Sequence, residues 1–447
     1  MKISFRFLYA AGMLVLLLSD PLFSDLLTGH APEDDLGPHP AHAFTQLYTR
    51  LFALLCVALS VFYYRHLNGM AKGIFWATTA ATALLAAESY WFYDTPMVYP
   101  HVFQKLLVLY TIPAFYGLYA HFGRITLADV VRMIWVALVL NLLFINFDAL
   151  SIGAFLAHNR GLYASSAYLL MLPLLYHFNE YLAGRQMRHL ALFFVAVLAI
   201  FFFQHRTVWV TSVVALSLNA LLVLRAAPRR LSGAAGPLLL GIPLVLVLFS
   251  FSFILVSYPE ILDKLAASVS DIENHSTQGT GSWRQLQFDS YWPFVEENPV
   301  LGMRLAGFEL PVQFYNPESH TTFFEDGHGH NLHSFYLETL FYFGSVGLVL
   351  FMLPHLSVLR QLLRRVPTSP EALSWTVLIV TSLVYAYSYC LPSFFLGFIG
   401  YGLLRIRQLA PEPLAPPTLT PARPEPLTLA PTPAPAPAAG SALPYPV

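Results

Sequence analysis

Apolar runs long enough to cross a lipid bilayer recur along this 447-residue chain, and they limit the folds that it can adopt. Most contain roughly 17 to 22 residues, the length that an α-helix needs to cross a hydrocarbon core of about 30 Å. Only 11% of the residues are charged, whereas a soluble domain usually has about 25%. The sequence therefore predicts an all-α integral membrane protein.

Hydropathy predicts about twelve transmembrane helices. Their approximate spans are 5–19, 44–64, 74–94, 103–121, 129–147, 163–181, 189–205, 207–224, 235–257, 333–353, 372–391 and 393–404. The first run follows Lys2 and Arg6 but has no small-residue cleavage site, so we interpret it as a signal anchor.

These spans divide the chain into four predicted regions. A bundle of nine helices occupies residues 1–257, one large polar loop follows at 258–332, and the last three helices occupy 333–410. Residues 411–447 are rich in Pro and Ala. Because such a segment cannot bury an apolar core, we predict a disordered or polyproline-like tail.

The distribution of Lys and Arg predicts the orientation. With the N-terminus inside, 17 of the 24 cationic side chains lie at inner ends, which places both termini in the cytoplasm and residues 258–332 outside. The formal net charge of −1 gives no reason to expect a nucleic-acid partner. Arg50 and Lys105 lie within the outer ends of two spans, and together they suggest an outward cavity that holds an anion.

Three outer arginines are candidates for binding an anionic ligand. Arg206 interrupts a long apolar stretch, where a guanidinium costs several kcal/mol unless it is paired or in water. Its planar fork suits phosphate, although an arginine at a turn can also extend to lipid headgroups. Arg160 could likewise contact lipid headgroups instead of a phosphate ligand. Arg284 in the large loop could equally pair with Asp289.

A histidine-rich polar segment runs directly into an apolar helix at residues 327–351, GHGHNLHSFYLETLFYFGSVGLVLF. His330 and Asn331 lie at the junction. An imidazole titrates near neutral pH, so His330 is a candidate for accepting a proton at the membrane surface. Glu338, two turns further along, could orient this base or pair with an outer arginine.

The same segment offers two other readings. His328, His330 and His333 could bind zinc, but their spacing fits no specific zinc signature, so we predict no metal. Gly344 and Gly347 are predicted to let another helix approach closely.

With these motifs the chain resembles the bacterial O-antigen ligase and polymerase superfamily of polytopic glycosyltransferases. The resemblance lies in HNLHSFYLETLFYFGSVGLVLF at 330–351, RQLQFDSYWPFVEENPVLGMRLAGF at 284–308 and RTVWVTSVVAL at 206–216. The chain departs from the family in two places. His205 stands where a serine is usual, and Arg304 replaces the second glycine of a Gly-x-Gly element.

The resemblance implies a GT-C-like fold in the bacterial inner membrane, with one large periplasmic loop and the active site facing the periplasm. The implied reaction is metal-independent, cofactor-free, inverting transfer from an undecaprenyl-diphosphate-linked glycan. His330 would be catalytic. Three arginines would bind the diphosphate: Arg160, Arg206 and Arg284. Supporting roles would fall to Asn331, His333, Glu338 and Arg304.

The acceptor is less constrained than the donor. The paired Arg-x10-Gly motifs of polymerases are absent, since Arg160 is followed eleven residues later by Met171 and Arg284 by Val295. This favours ligation to lipid A-core. A growing glycan or pilin stays open as the acceptor. A lipid-linked glycan transporter is the alternative of another class, although it would be expected to show matching halves with broken spans.

Overall fold

The computed structural model describes residues 11–15, 40–123, 125–144, 147, 151, 162, 164–226, 279–310, 332–364 and 366–409. These residues form helices, turns and loops, and no strand occurs among them. The α-helices are α1 (Pro40–Phe62), α2 (Gly69–Tyr93), α3 (Pro100–Leu107), α4 (Thr111–Phe122), α5 (Leu127–Phe144), α6 (Ala164–Tyr168), α7 (Met171–Gly184), α8 (Met187–Phe202), α9 (Arg206–Ala226), α10 (Gly279–Glu297), α11 (Ala306–Glu309), α12 (Phe335–Arg364), α13 (Pro370–Ser388) and α14 (Ser393–Gln408).

Four of these helices, α2, α5, α9 and α12, are long and apolar enough to cross a membrane. Large apolar side chains on their surfaces are exposed, among them Leu84, Leu143 and Val213. Such surfaces suit lipid tails rather than water, and the chain is accordingly a helical membrane protein. Ten of the predicted spans coincide with described helices. The run at 235–257 and most of the run at 5–19 lie outside the described residues, so the total of twelve stays a prediction, as do the large loop and the four regions. The tail at 411–447 also lies outside them.

Two predicted spans are divided by prolines. The span at 103–121 consists of α3, a 3-10 turn at Val108–Tyr110 and α4. Pro113 has no N–H to offer the carbonyl four residues earlier, and the hydroxyl of Ser60 donates instead to the neighbouring Tyr110 carbonyl at 3.1 Å. Pro173 interrupts the span at 163–181 between α6 and α7 in the same way.

Helices α4, α7, α13 and α14 form the interior of the bundle. Residues 111–119 of α4 and 394–404 of α14 are buried. Helix α4 packs against α14 and α1, while α13 packs against α7, α9, α12 and α14. Helix α13 is therefore the element to which the candidate site helices α9 and α12 are both attached.

Helix α12 is broken at Gly344, where φ is 60° and ψ is −162°. Two helical hydrogen bonds are replaced at this break by four bonds to the Asn-Pro-x-x-Gly segment that follows α10. The N–H groups of Met303 and Arg304 donate to the carbonyls of residues 341 and 342, at 2.7 and 2.9 Å. Ser345 and Val346 donate to the carbonyls of residues 299 and 300, at 2.9 and 3.2 Å.

The break joins the Asn-Pro-x-x-Gly and Gly-x-x-Gly motifs into one structural unit. Each main-chain group that the break frees in α12 bonds to residues 299–304, hereafter the inserted segment. A Cβ at Gly344 would overlap the Val300 carbonyl, and one at Gly302 would overlap the main chain at residues 342–344. The prediction that Gly344 permits close approach is thus confirmed, but an irregular segment approaches rather than another helix. Gly347 instead faces the Phe343 side chain of its own helix.

Candidate active site

Helix α10 places Arg284 beside the start of α12. Gln287, one turn after Arg284, is buried, and its Oε1 accepts a hydrogen bond from the His333 main-chain N–H at 2.8 Å. This bond fixes the level at which α10 meets α12. His333 is exposed as a residue, but neighbouring protein atoms partly desolvate its imidazole. This desolvation and the Arg284 charge both lower the pKa of His333 below its usual 6.5. A lowered pKa favours the neutral imidazole, which is the form that can accept a proton.

The guanidinium of Arg284 lies over the ring of Tyr389, 5.2 Å from its centroid. Tyr389 follows the last turn of α13. The carboxylate of Asp289, which the sequence offered as a partner for Arg284, accepts instead from the Gln285 amide at 2.8 Å. Arg284 is thus held against an aromatic face, a contact that orients the guanidinium without neutralising its charge.

Three stacked tyrosines connect this place to the start of α9. Tyr389 stacks on Tyr385 with centroids 5.4 Å apart, and Tyr385 stacks on Tyr168 at 4.2 Å. Tyr168 ends α6, which packs against α9. These three side chains, hereafter the tyrosine column, run from Arg284 into the bundle beside the helix that Arg206 begins.

Arg206 begins α9 after a turn of three residues, as the apolar pattern predicted. In this turn His205 is buried, and its Nε2 donates to the Leu162 carbonyl at 2.6 Å. The bond draws the main chain that follows Arg160 against the start of α9. His205, a departure from the family pattern, therefore has a structural role that the sequence did not suggest.

Three of the predicted site residues, Arg160, His330 and Asn331, lie outside the described residues, as does His328. Their roles stay predictions. Leu162 and Leu332, two residues after Arg160 and His330 respectively, are described and buried. Leu162 lies beside the start of α9 through its bond to His205, and Leu332 lies three residues before the start of α12.

Glu338 forms an ion pair with Lys105 of α3, and not with an arginine. Its other carboxylate oxygen accepts from the Cys390 thiol at 2.9 Å. The same thiol lies 3.0 Å from the Leu332 carbonyl. The ammonium of Lys105 also lies 5.0 Å from the centroid of the Tyr342 ring. The sequence could not predict this pair, because its two residues are 233 positions apart. Each charge was nevertheless noticeable within its apolar run.

Arg304 adopts a left-handed backbone conformation, with φ of 50°. This conformation favours glycine, and it explains why a glycine is usual at this position in the family that the chain resembles. The Arg304 side chain donates to Glu88 at 2.8 Å, with 39% and 20% of the two side chains exposed. The additional cation is thus paired with α2 and serves the packing of the segment after α10.

We expect Arg304→Gly to change the free energy of unfolding by less than about 1 kcal/mol. The substitution removes a partly exposed ion pair, worth about 0–1 kcal/mol, and relieves backbone strain of similar size. Thermal unfolding of the purified protein tests this, with Glu88→Gln as the control that removes the pair alone. A large loss of stability in Arg304→Gly would show that the ion pair dominates.

The fold and the site together define a helical membrane protein that collects arginines and an imidazole at one end of its bundle. Residues 191–352 match a family model described as O-antigen ligase. This match confirms the resemblance that the motifs predicted. The matched region includes Arg206, Arg284, Arg304 and the whole of 330–351, whereas Arg160 precedes it. No curated protein matches the chain.

Proposed function

We propose that this protein transfers a glycan from an undecaprenyl-diphosphate-linked donor to lipid A-core at the periplasmic face of the bacterial inner membrane. The match of residues 191–352 to the O-antigen ligase family supports an activity of the ligase or polymerase type, and that family implies lipid-linked glycan donors and glycan acceptors. One observation carries the proposal: α10, which holds Arg284, is bonded through Gln287 to the His333 main chain just before α12, so a guanidinium and an imidazole lie close together. Glycosyl transfer from a diphosphate needs this combination.

The chemistry follows from the charges that form during the reaction. An acceptor hydroxyl attacks the anomeric carbon from the face opposite the diphosphate, and the bond from that carbon to the phosphate oxygen breaks. Negative charge collects on the departing diphosphate, where arginines stabilise it more in the transition state than in the ground state. Arg206 and Arg284 take this role, with Arg160 joining them. The hydroxyl proton passes to an imidazole.

The proton acceptor belongs to the pair His330 and His333. The His-Asn motif assigns the role to His330, with Asn331 as its support. The place of His333 beside Arg284, and its lowered pKa, make it the alternative. The reaction is the same in either case, and only the position of the base differs by three residues.

The decisive experiment is a glycan profile of a strain that lacks this protein. Lipid A-core without polymer, together with accumulated lipid-linked polymer, supports ligation. Shortened polymer supports a polymerase, and unglycosylated pilin with normal lipopolysaccharide supports a pilin transferase. A His330→Ala/His333→Ala strain that still exports and attaches glycan normally would favour a transporter.

We expect Arg206→Ala and Arg284→Ala each to lower kcat/KM for the lipid-linked donor by about 10- to 160-fold. The loss of one charge-assisted contact to the diphosphate costs about 1.5–3 kcal/mol. Lys replacements should rescue activity in part, because an ammonium cannot form the bidentate fork. Arg364→Ala, an exposed arginine at the far end of α12, is the control. Full activity of both Lys variants would argue for simple charge attraction.

A second measurement asks whether His333 is the base. Since Arg284 lowers the pKa of His333, Arg284→Gln should raise it toward 6.5. The acidic limb of the kcat/KM profile should then move to higher pH, because the neutral imidazole is lost earlier as the pH falls. Arg284→Lys keeps the charge and should leave the limb in place. A limb that stays unchanged in Arg284→Gln would assign the base to His330.

A further inference from the structure

A cavity of about 360 Å³ lies beside the first turns of α12. Its walls come from α1, α3, α4, α12 and the start of α14. Polar groups that line it include the Lys105–Glu338 pair, His101 and Gln104, while Phe335 and Phe343 contribute aromatic surface. Its volume is at the lower end of the range for small-molecule sites, about 300–1,000 Å³. Its size suits one sugar unit, not a polymer.

The ion pair determines what charge the cavity can accept. Lys105 alone suggested an anion, but Glu338 neutralises it, with 14% and 13% of the two side chains exposed. A diphosphate would need an excess of cations, which the pair does not supply. A carboxylate has about four acceptor positions, and Glu338 uses two of them, for Lys105 and Cys390. The pair is thus equipped for hydroxyl groups on a ligand without net charge.

The stability of the bundle does not explain this pair. Removing two charges from water costs several kcal/mol each, and apolar residues of similar volume are often as stabilising or more so. Ionisable side chains at membrane depth are accordingly found mainly where they meet a ligand or a water-filled cavity. The pair lines such a cavity.

The cavity is close to the reacting groups. The Cys390 thiol in its wall contacts the Leu332 carbonyl at 3.0 Å, one residue before His333 and two after His330. Glu338 lies in the first turn of α12, a rise of about 4.5 Å after Phe335, and His333 lies two residues before that helix begins. A sugar held by Glu338 would therefore reach the level of His333 with its next hydroxyl or glycosidic neighbour.

We infer that this cavity binds one neutral sugar unit of the acceptor, whose hydroxyls donate to Glu338 and accept from Lys105, while its C–H faces pack on Phe335 and Phe343. The inference rests on the proposed glycosyl transfer and adds the acceptor subsite to it. The diphosphate of the donor stays with the arginines. Lys105 becomes a determinant of acceptor binding that the motifs did not identify.

The test is steady-state transfer by the purified full-length protein, with lipid-linked glycan and lipid A-core prepared from the source strain. In Glu338→Gln and in Lys105→Met, the acceptor KM should rise by about 10-fold or more, the effect of about 1.4 kcal/mol. The donor KM and kcat should stay within about 3-fold. Ala53→Phe, which adds a ring to the cavity wall and keeps both charges, should raise the acceptor KM in the same way. Leu54→Phe is its control, because Leu54 is exposed on the outer face of α1.

The double variant Lys105→Met/Glu338→Gln separates binding from a structural role. A subsite predicts that this uncharged pair folds normally and still has a raised acceptor KM. Full recovery of the acceptor KM in the double variant would overturn the inference, as would an unchanged acceptor KM in Ala53→Phe. Wild-type protein that transfers no glycan at all would contradict the proposed function itself.

Discussion

Protein carrying His330→Ala is expected to transfer glycan about 10²- to 10⁴-fold more slowly than wild type, the range that a positioned general base contributes. Without the imidazole, the acceptor hydroxyl would have to attack while it still holds its proton. The variant should insert at normal levels, because His330 precedes α12 in a polar stretch of sequence, GHGHN, and not in an apolar run. In vitro transfer from lipid-linked donor, with protein quantified by blot, measures both quantities.

His333→Ala is the matched control for this prediction. His333 contacts Gln287 through its main-chain N–H, so the substitution removes the ring and leaves that bond in place. Transfer within a few-fold of wild type is expected if His330 is the base. The reverse pattern would move the base to the imidazole beside Arg284 and leave the reaction class unchanged. Near-normal activity in both variants would refute an imidazole base.

Much of the fold was predictable because a bilayer restricts the choices of an apolar chain. Run length alone located ten spans that coincide with described helices, and the minimal turn before Arg206 is present as expected. The prolines at 113 and 173 can be read from the sequence, but a hydropathy average over a whole span does not register the loss of one backbone N–H. The helix breaks could have been predicted only by considering each proline individually.

The sequence suggested residue types for the candidate site but not their pairings. Arg206 and the His-Asn segment stood out because each is a polar group at the edge of apolar sequence, whereas Arg284 lies in the predicted polar loop and its role came from the family resemblance. The partners of Glu338 and Arg304 lie 233 and 216 residues away, and no local pattern relates them. For Arg304 the sequence did offer one indication. A position where glycine is usual indicates a positive φ, so an arginine there is expected to have a structural role for its side chain, here the pair with Glu88.

The interlocking of two motifs could not be predicted from either one. Asn-Pro-x-x-Gly reads as a helix end followed by a turn, and Gly-x-x-Gly reads as a helix-packing face. Only the structure shows that the first fills a break in the second. This arrangement matters for function because α10 carries Arg284 and the first half of α12 leads to His333. Four main-chain bonds hold these two helices in register.

Gly344→Ala should therefore cost about 3 kcal/mol or more of stability and also abolish most of the transfer activity. The backbone at Gly344 occupies a region that is almost exclusive to glycine, and an added Cβ would overlap the Val300 carbonyl. The inserted segment would have to withdraw, and its main-chain groups at residues 299, 300, 303 and 304 would lose their partners. Unpaired groups of this kind are especially costly at membrane depth. Gly302→Ala should lower stability and activity in the same way, since a Cβ at residue 302 would overlap the main chain of residues 342–344.

The control is Gly73→Ala in α2, where an added Cβ meets nothing within 4 Å. Alanine is the better helix former by about 0.5–1 kcal/mol, so this variant should be as stable as wild type or more so. Thermal unfolding and transfer, measured on the same purified samples, give the comparison. If Gly344→Ala unfolded at the wild-type temperature and transferred glycan normally, α12 could run unbroken past residue 344. The register between Arg284 and the imidazoles would then have to come from another source, of which the Gln287–His333 bond is the nearest.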